Sequence, residues 1–185
     1  MENLAYDYSN EEPDFEIIGG EKFIMAAAAP FVNHISTVNR LNYIFIGYID
    51  EKNIDARVLF EADVHFSNED HFRPDLSIIC DLEKIKDGKR ICGAPDLVVE
   101  VLSASTMKND IGKKKNAYEK YGVKEYWIID QWSQRIEVYH LIEGKYILDD
   151  VYMVSDEEEV KTQIKVSIFD DLIVDVKNVF KWIIK

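Results

Sequence analysis

Apolar and polar positions alternate with different periods along the chain, and each period predicts an element. Residues 15–25, FEIIGGEKFIM, hold two short apolar runs joined by Gly19 and Gly20, which predicts a β-hairpin. Residues 31–49 carry apolar side chains at close to helical spacing, which predicts the first helix. Further elements are predicted as strands at 56–66, 73–80, 95–103 and 125–130, a helix at 107–121 ended by Gly122, a meander at 135–153 turning at Glu143-Gly144, and a short strand and helix at 169–185.

The order of these elements is helix, three strands, helix, strand. Such an order predicts an α/β fold in which helices flank a mixed central sheet, and the outer hairpins are expected to extend that sheet. Residues 1–13 are polar and predict a flexible tail, and residues 14–185 are long enough to form a single domain with its own core.

Two of the predicted strands start with the same tripeptide, Pro-Asp-Leu, and contain carboxylates among apolar residues. Asp75 and Asp96 follow the prolines, and Glu100 stands in the middle of its strand. If the two strands pair antiparallel around a turn near Asp87-Gly88, partner residue numbers add up to about 175, and Asp75 lies opposite Glu100. The pattern therefore predicts two carboxylates side by side in a buried sheet.

Like charges at opposed positions destabilise a sheet unless a cation neutralises them. Ligation by oxygen atoms alone favours Mg²⁺, or Mn²⁺ as its substitute, over zinc. For Asp75 and Asp96 there is an alternative, since aspartate is common after a proline at the start of a strand. That alternative does not account for Glu100.

The predicted helix at 107–121 places one lysine on its apolar side. At helical spacing Lys114 falls within the apolar stripe, and Asp110 lies one turn earlier on the same side. An ammonium group that faces a sheet needs a carboxylate or an anionic ligand, unless its side chain bends out to solvent. The stripe itself consists of Met107, Ile111, Tyr118 and Tyr121.

An aspartate, a glutamate and a lysine that converge from two strands and a helix suit phosphodiester hydrolysis, in which a metal ion activates water and a lysine stabilises negative charge. The sequence contains no phosphate-binding glycine loop, no Gly-x-Ser-x-Gly motif and no Cys-His pair at useful spacing. His65, His71 and His140 are scattered, so no histidine metal site is expected. His34 starts the first helix and either reaches the site or stabilises the first helical turn.

The net charge of −13 argues against a protein that coats nucleic acid non-specifically, although it allows a local basic patch. No apolar run is long enough to span a bilayer, and the N-terminus lacks a signal pattern, so a cytoplasmic location without membrane contact is expected.

Cys80 and Cys92 are expected to be reduced. The remaining lysines of the 107–124 region form either a solvated face or a patch that attracts phosphates: Lys108, Lys113, Lys115, Lys120 and Lys124.

Four segments carry a resemblance to a known family: RPDLSII, GAPDLVVEVLSAST, NDIGKKKNAYEKYGVKEYWIID and IEVYHL. Together with both ends of the region 15–180, they resemble the putative restriction endonuclease family within the PD-(D/E)XK nuclease superfamily. The resemblance implies a restriction-endonuclease-like core of helix, three strands, helix and strand. It also implies a Mg²⁺-dependent endonuclease that acts on DNA.

Carried over to this sequence, the resemblance makes Asp75 and Glu100 the catalytic metal ligands, with the backbone carbonyl of Val101 as a third. The sequence departs from the superfamily pattern two residues past Glu100, where Leu102 replaces the lysine. Lys114 on the following helix takes the place of that lysine. Supporting roles fall to Asp96, Ser103, Asp110 and His34.

Two other functions remain open from the sequence. One is a non-catalytic nucleic-acid or protein interaction module that retained the nuclease fold, which the acidic net charge favours. The other is a phosphodiesterase acting on RNA or on a small nucleotide. A homodimer is expected if the substrate is duplex DNA, because cutting both strands of a symmetric duplex suits two-fold symmetry.

Overall fold

A computed structural model describes residues 15–24, 31–86, 88–103 and 109–184, without the side chains of residues 109 and 110. The predicted flexible tail at 1–13 lies outside these residues. So do Asp87 of the predicted turn and the first residues of the helix predicted at 107–121.

The central sheet is mixed and has six strands in the order β12-β11-β10-β9-β6-β3. Neighbouring strands are antiparallel except β9 and β10, which are parallel. The predicted meander forms β11 and β12 and extends this sheet, as expected. The strands are β3 (Arg57–Phe60), β6 (Leu76–Ile79), β9 (Leu97–Val101), β10 (Glu125–Asp130), β11 (Arg135–Ile142) and β12 (Lys145–Met153).

The middle strands are apolar on both faces because both faces are covered. All four residues of β6 and all five of β9 are buried. Helix α1 (Val32–Lys52) packs on one face together with the C-terminal segment, and α2 (Lys115–Tyr121) packs on the other. The order α1, β3, β6, β9, α2, β10 is the predicted restriction-endonuclease-like core.

A second six-stranded sheet lies beside the core and was not expected. Its strands are short and follow the order β2-β1-β5-β4-β8-β7. The N-terminal hairpin forms as predicted, with Gly19 and Gly20 at positive φ as a tight two-residue turn requires. The hairpin belongs to the second sheet, however, so the expectation that it extends the central sheet is wrong. The strands are β1 (Phe15–Ile18), β2 (Glu21–Ile24), β4 (Val64–His65), β5 (His71–Phe72), β7 (Ile85–Lys86) and β8 (Arg90–Cys92).

The strand predicted at 56–66 is two strands in different sheets. Glu61 has a φ of 48° and turns the chain out of the central sheet after β3. The chain then enters the second sheet as β4. The connection between β6 and β9 likewise holds more structure than a loop, namely a 3₁₀ turn at Leu82–Lys84 and the hairpin β7-β8.

The helix before β10 begins with wide turns. Residues Asn109–Lys114 are π-helical, α2 continues to Tyr121, and Gly122 ends it with a φ of 87°, as predicted. The wide turns change the direction of side chains, so Ile111 is half exposed and the prediction that it joins the apolar stripe is wrong. Lys114 and Tyr118 point inward as predicted, and each is at most 3% exposed.

The C-terminal region forms a separate hairpin and a short helix. Strands β13 (Gln163–Lys165) and β14 (Ile173–Asp175) pair antiparallel, and α3 (Val176–Val179) follows directly, which confirms the predicted strand and helix. Cys80 and Cys92 are free thiols. Within the described part of the chain, no helix has the length and apolar character needed to cross a bilayer.

Candidate functional site

The register between β6 and β9 is the one predicted from the sequence. Leu76 pairs with Val99, and the neighbouring pairs keep the same sum of 175. Extending this register by one residue places Asp75 opposite Glu100. Both carboxylates therefore lie at the same end of two adjacent core strands.

Asp75 is held through both of its carboxylate oxygens. Oδ2 accepts a hydrogen bond of 2.6 Å from the backbone N–H of Val101, the last residue of β9. Oδ1 lies 3.0 Å from Nε2 of His34, in the first turn of α1. The structure therefore joins three of the predicted residues, Asp75, Val101 and His34, in one set of contacts.

A small cleft of about 120 Å³ opens beside Asp75 on the α1 side. The cleft lies between the end of the core strands and the first turns of α1. It is lined by His34, Ile35, Val38, Asn39, Phe60, Glu61 and Asp75.

Glu100 is 3% exposed and is bound by two side chains from the helical segment that crosses its face of the sheet. Its Oε1 accepts a hydrogen bond of 2.7 Å from the hydroxyl of Tyr118 and lies 3.2 Å from Nζ of Lys114. Burial, followed by the negative charge of Glu100, raises the pKa of Tyr118 well above its usual value, so the hydroxyl stays a donor.

Sequence reasoning missed a third carboxylate in this cluster. Glu16 on β1 is 6% exposed, and its Oε1 lies 2.8 Å from Nζ of Lys114. The same oxygen accepts a hydrogen bond of 3.0 Å from the backbone N–H of Arg73. Glu16 shares a face with buried Ile18, but Phe15 and Ile17 are also apolar, so the sequence alone does not identify the buried face. Lys114 thus bridges a carboxylate from each sheet.

Asp96 lies away from this cluster, at the opposite end of β9. Its carboxylate accepts hydrogen bonds from the backbone N–H of Cys80 at 2.8 Å and from Nζ of Lys124 at 2.7 Å. Burial opposes its ionisation, but these donors outweigh burial and hold the pKa of Asp96 below its usual value. These contacts give Asp96 a structural environment unlike that of Glu100.

The structure describes the other predicted supporting residues, Ser103 and Asp110, in less detail. Ser103 is half-buried and lies two residues after Val101, the last residue of β9. Asp110 lies in the π-helical turn, and its side chain is outside the described part of the structure.

The lysines around α2 are engaged within the protein. Lys113 is paired with Glu21, Lys120 with Asp70 and Lys124 with Asp96. Nζ of Lys115 lies 3.4 Å from the ring centroid of Tyr139. Lys108 is outside the described residues. These contacts favour the solvated face over the phosphate-attracting patch.

A further buried polar group, Glu125, was not singled out from the sequence. Glu125 on β10 is fully buried and accepts hydrogen bonds from Nε1 of Trp127 and from the backbone N–H and hydroxyl of Ser167. Because these donors bind its carboxylate inside the protein, we assign Glu125 a structural role in the core. The expectation that the histidines stay scattered is wrong for His65 and His71, which are paired in the second sheet and lie close to Asp63, the residue before β4.

The comparisons with known proteins agree with the fold described above. Residues 1–172 match the family model described as "Uma2: Putative restriction endonuclease". Among curated proteins no match was found. The chain is similar to a crystal structure described as a putative nuclease belonging to DUF820 from Anabaena variabilis ATCC 29413. The TM-score is 0.71 at 23% identity, over 93% of this chain and 92% of that one. At this identity the likeness concerns the fold, whereas the match over residues 1–172 shows that the chain belongs to the Uma2 family of putative restriction endonucleases.

Proposed function

We propose that this protein is a metal-dependent endonuclease that hydrolyses DNA phosphodiester bonds, with Asp75, Glu100 and Lys114 as its catalytic residues. The observation that carries the proposal is the register that aligns Asp75 with Glu100 at the end of β6 and β9, where Lys114 reaches Glu100. Family membership supports nuclease chemistry, and the site adds a candidate position for it.

The donor set of this site fits a hard divalent cation. Asp75, Glu100 and Glu16 supply carboxylates, and Lys114 is the buried ammonium that faces two of them. A buried excess of negative charge is costly and favours a bound cation. Oxygen ligands select Mg²⁺, with Mn²⁺ as its substitute, and the residues proposed to hold it are Asp75, Glu100 and the carbonyl of Val101. When bound, such an ion polarises a phosphate oxygen and lowers the pKa of a water ligand.

The protein's own groups have separate roles in this proposal. The backbone N–H of Val101 and the ring of His34 fix the orientation of the Asp75 carboxylate. Tyr118 fixes Glu100 in the same manner. Lys114 supplies a positive charge that stabilises the negative charge developing on the phosphate as water adds and the bond from phosphorus to the leaving oxygen breaks. Ser103 and Asp110 are close in sequence to these groups and are proposed to support them.

A cleavage assay tests the proposal directly. Supercoiled DNA, linear duplex DNA and RNA of matched length are incubated with the protein and Mg²⁺ or Mn²⁺. We expect cleavage of DNA that Asp75→Asn and Glu100→Gln each lower by more than about 100-fold. Asp96→Asn is the matched control, because it alters the other Pro-Asp-Leu aspartate and leaves the proposed site intact. Cleavage of RNA alone would reassign the substrate, and DNA cleavage unaffected by Asp75→Asn or Glu100→Gln would contradict the site.

The oligomeric state bears on how duplex DNA would be cut. A homodimer is proposed, because two copies related by a two-fold axis can address both strands. Sedimentation of the protein with and without duplex DNA checks this, and a monomer under both conditions would contradict it.

A further inference from the structure

Three side chains of types that can ligate a metal lie together at the second sheet, and none of them belongs to the carboxylates of the candidate nuclease site. His65 on β4 stands directly opposite His71 on β5 in the antiparallel ladder. Asp63 precedes His65 by two residues, the spacing at which side chains of an extended segment share a face. Two imidazoles and one carboxylate are therefore brought to one spot by strand pairing.

The distances among these groups suit one ion. One potential ligand atom from each of the three side chains lies within 4.8 Å of the other two. Nε2 of His71 is already 3.4 Å from Oδ1 of Asp63. With metal–ligand bonds of roughly 2.0–2.2 Å, neighbouring ligand atoms lie roughly 3–4 Å apart, so side-chain rotations alone could close the site. The two imidazole rings are 3.8 Å apart between centroids.

The surroundings shift the pKa of two of these groups, His65 and Asp63. Burial, followed by the charges of His71 and Arg90, lowers the pKa of His65, which favours the neutral ring. Burial opposes ionisation of Asp63, but Arg73, whose Nε lies 3.1 Å from Oδ1, outweighs it and the pKa of Asp63 is lowered. Arg73 thus orients the carboxylate by binding Oδ1, the same oxygen that lies near His71, as partners of metal ligands commonly do.

We propose that Asp63, His65 and His71 bind one divalent transition-metal ion of the zinc class, with water completing its coordination. Imidazole nitrogen with one carboxylate oxygen selects borderline metals such as Zn²⁺, Co²⁺ or Ni²⁺ over Mg²⁺. This site is distinct from the proposed nuclease site, because the two share no ligand.

The location suggests what the ion does for the fold. It would connect the turn after β3, strand β4 and strand β5, whose pairing is only two residues long. Strand β5 continues into Arg73, whose backbone N–H binds Glu16, and then into Asp75. A bound ion would therefore hold in place the segment that leads from the second sheet to the nuclease carboxylates.

Cobalt is the probe that tests this site by itself. Co²⁺ is titrated into the Asp75→Asn/Glu100→Gln double variant, in which the nuclease carboxylates are removed, and visible d–d absorption is recorded. We expect binding of one equivalent, displacement by Zn²⁺ and no displacement by a large excess of Mg²⁺. Adding His71→Ala to this background should weaken binding by more than about tenfold.

The control is His140→Ala in the same background, because His140 is a half-buried histidine on β11 of the central sheet. It should leave Co²⁺ binding unchanged. Should His71→Ala impair folding, Asp63→Asn gives the same test. An increase in the melting temperature of the wild type by Zn²⁺, lost in either variant, gives a readout without absorption. Absence of Co²⁺ binding, or binding equally strong in the His71→Ala and His140→Ala chains, would overturn the proposal.

Discussion

Nζ of Lys114 lies 3.2 Å from Oε1 of Glu100, although one residue comes from the last π-helical turn and the other from the middle strand of the core. This contact connects the helix that follows β9 to the strand that carries the glutamate. The superfamily pattern that the sequence resembles has a lysine two residues past Glu100, where this chain has buried Leu102. We propose that Lys114 takes the role of that lysine.

Replacing Lys114 by methionine should destabilise the protein and abolish cleavage. Glu16 and Glu100 would be left as buried carboxylates without their shared ammonium, and breaking a buried pair in this way costs about 3–5 kcal/mol. Urea unfolding measures the loss in free energy. The Lys114→Met/Glu16→Gln double variant should be more stable than Lys114→Met alone, since one uncompensated charge is removed. A double variant that is less stable than Lys114→Met would show that the charges are not coupled.

Glu16→Gln should slow DNA cleavage through the position of Lys114. Without the Glu16 charge, Lys114 loses its ion pair to β1 and is no longer held between the two sheets. At saturating metal we expect kcat to fall by about tenfold and KM for DNA to stay unchanged. The matched control is Glu21→Gln on the same hairpin, an exposed residue paired with Lys113. A rise in KM at constant kcat would assign Glu16 to substrate binding and contradict the positioning role.

Asp96→Asn should lower stability and spare activity. In the folded protein the pKa of Asp96 is below its usual value, so the carboxylate contributes stability above its unfolded pKa of about 3.9 and loses it as pH falls through the folded pKa. We expect a loss of about 1–3 kcal/mol at pH 7, because contacts to Lys124 and Cys80 are weakened. The difference from wild type should shrink below about pH 4. Urea unfolding at pH 7 and pH 3 measures it, and an equal loss at both values would contradict the assignment.

Much of the core could be predicted because its signals are local. The two Pro-Asp-Leu tripeptides mark strand starts, and a turn near Asp87-Gly88 centres the pairing, so the register of β6 and β9 followed from residue numbers alone. Helical spacing predicted that Lys114 points inward, and it does so although it is the last π-helical residue, because it lies directly before α2, one turn from buried Tyr118. Ile111 lies within the wide turns and is half exposed.

Apart from its N-terminal hairpin, the second sheet could not be predicted, because its other four strands have only two or three residues and show no period. His65 and His71 meet only through a two-residue ladder, and six residues of sequence give no indication of that contact. Glu16 has apolar neighbours at positions 15, 17 and 18, so the pattern does not tell which face of the hairpin is buried. Its position depends on how the hairpin packs against Lys114, which is a tertiary contact.

Buried carboxylates in strands also differ in their partners, and the sequence alone does not distinguish a structural carboxylate from a candidate metal ligand. Glu125 and Glu100 each stand in a strand of buried residues. Glu125 accepts hydrogen bonds from Trp127 and Ser167, and Nε2 of His140 lies 3.9 Å from its Oε1. Glu100 instead faces an ammonium that a second carboxylate shares. The partners, which come from distant parts of the chain, decide which carboxylate is a candidate metal ligand.

Calorimetric titration of Mn²⁺ tests the central claim most directly. The His71→Ala chain is used as the parent, so that the proposed site in the second sheet does not contribute heat, and circular dichroism checks that each variant is folded. We expect one Mn²⁺ to bind to the parent and to the parent carrying Asp96→Asn, and binding to be lost when Asp75→Asn or Glu100→Gln is added. Absence of binding to the parent with DNA present, or binding that survives both Asp75→Asn and Glu100→Gln, would contradict a metal site shared by the two strands.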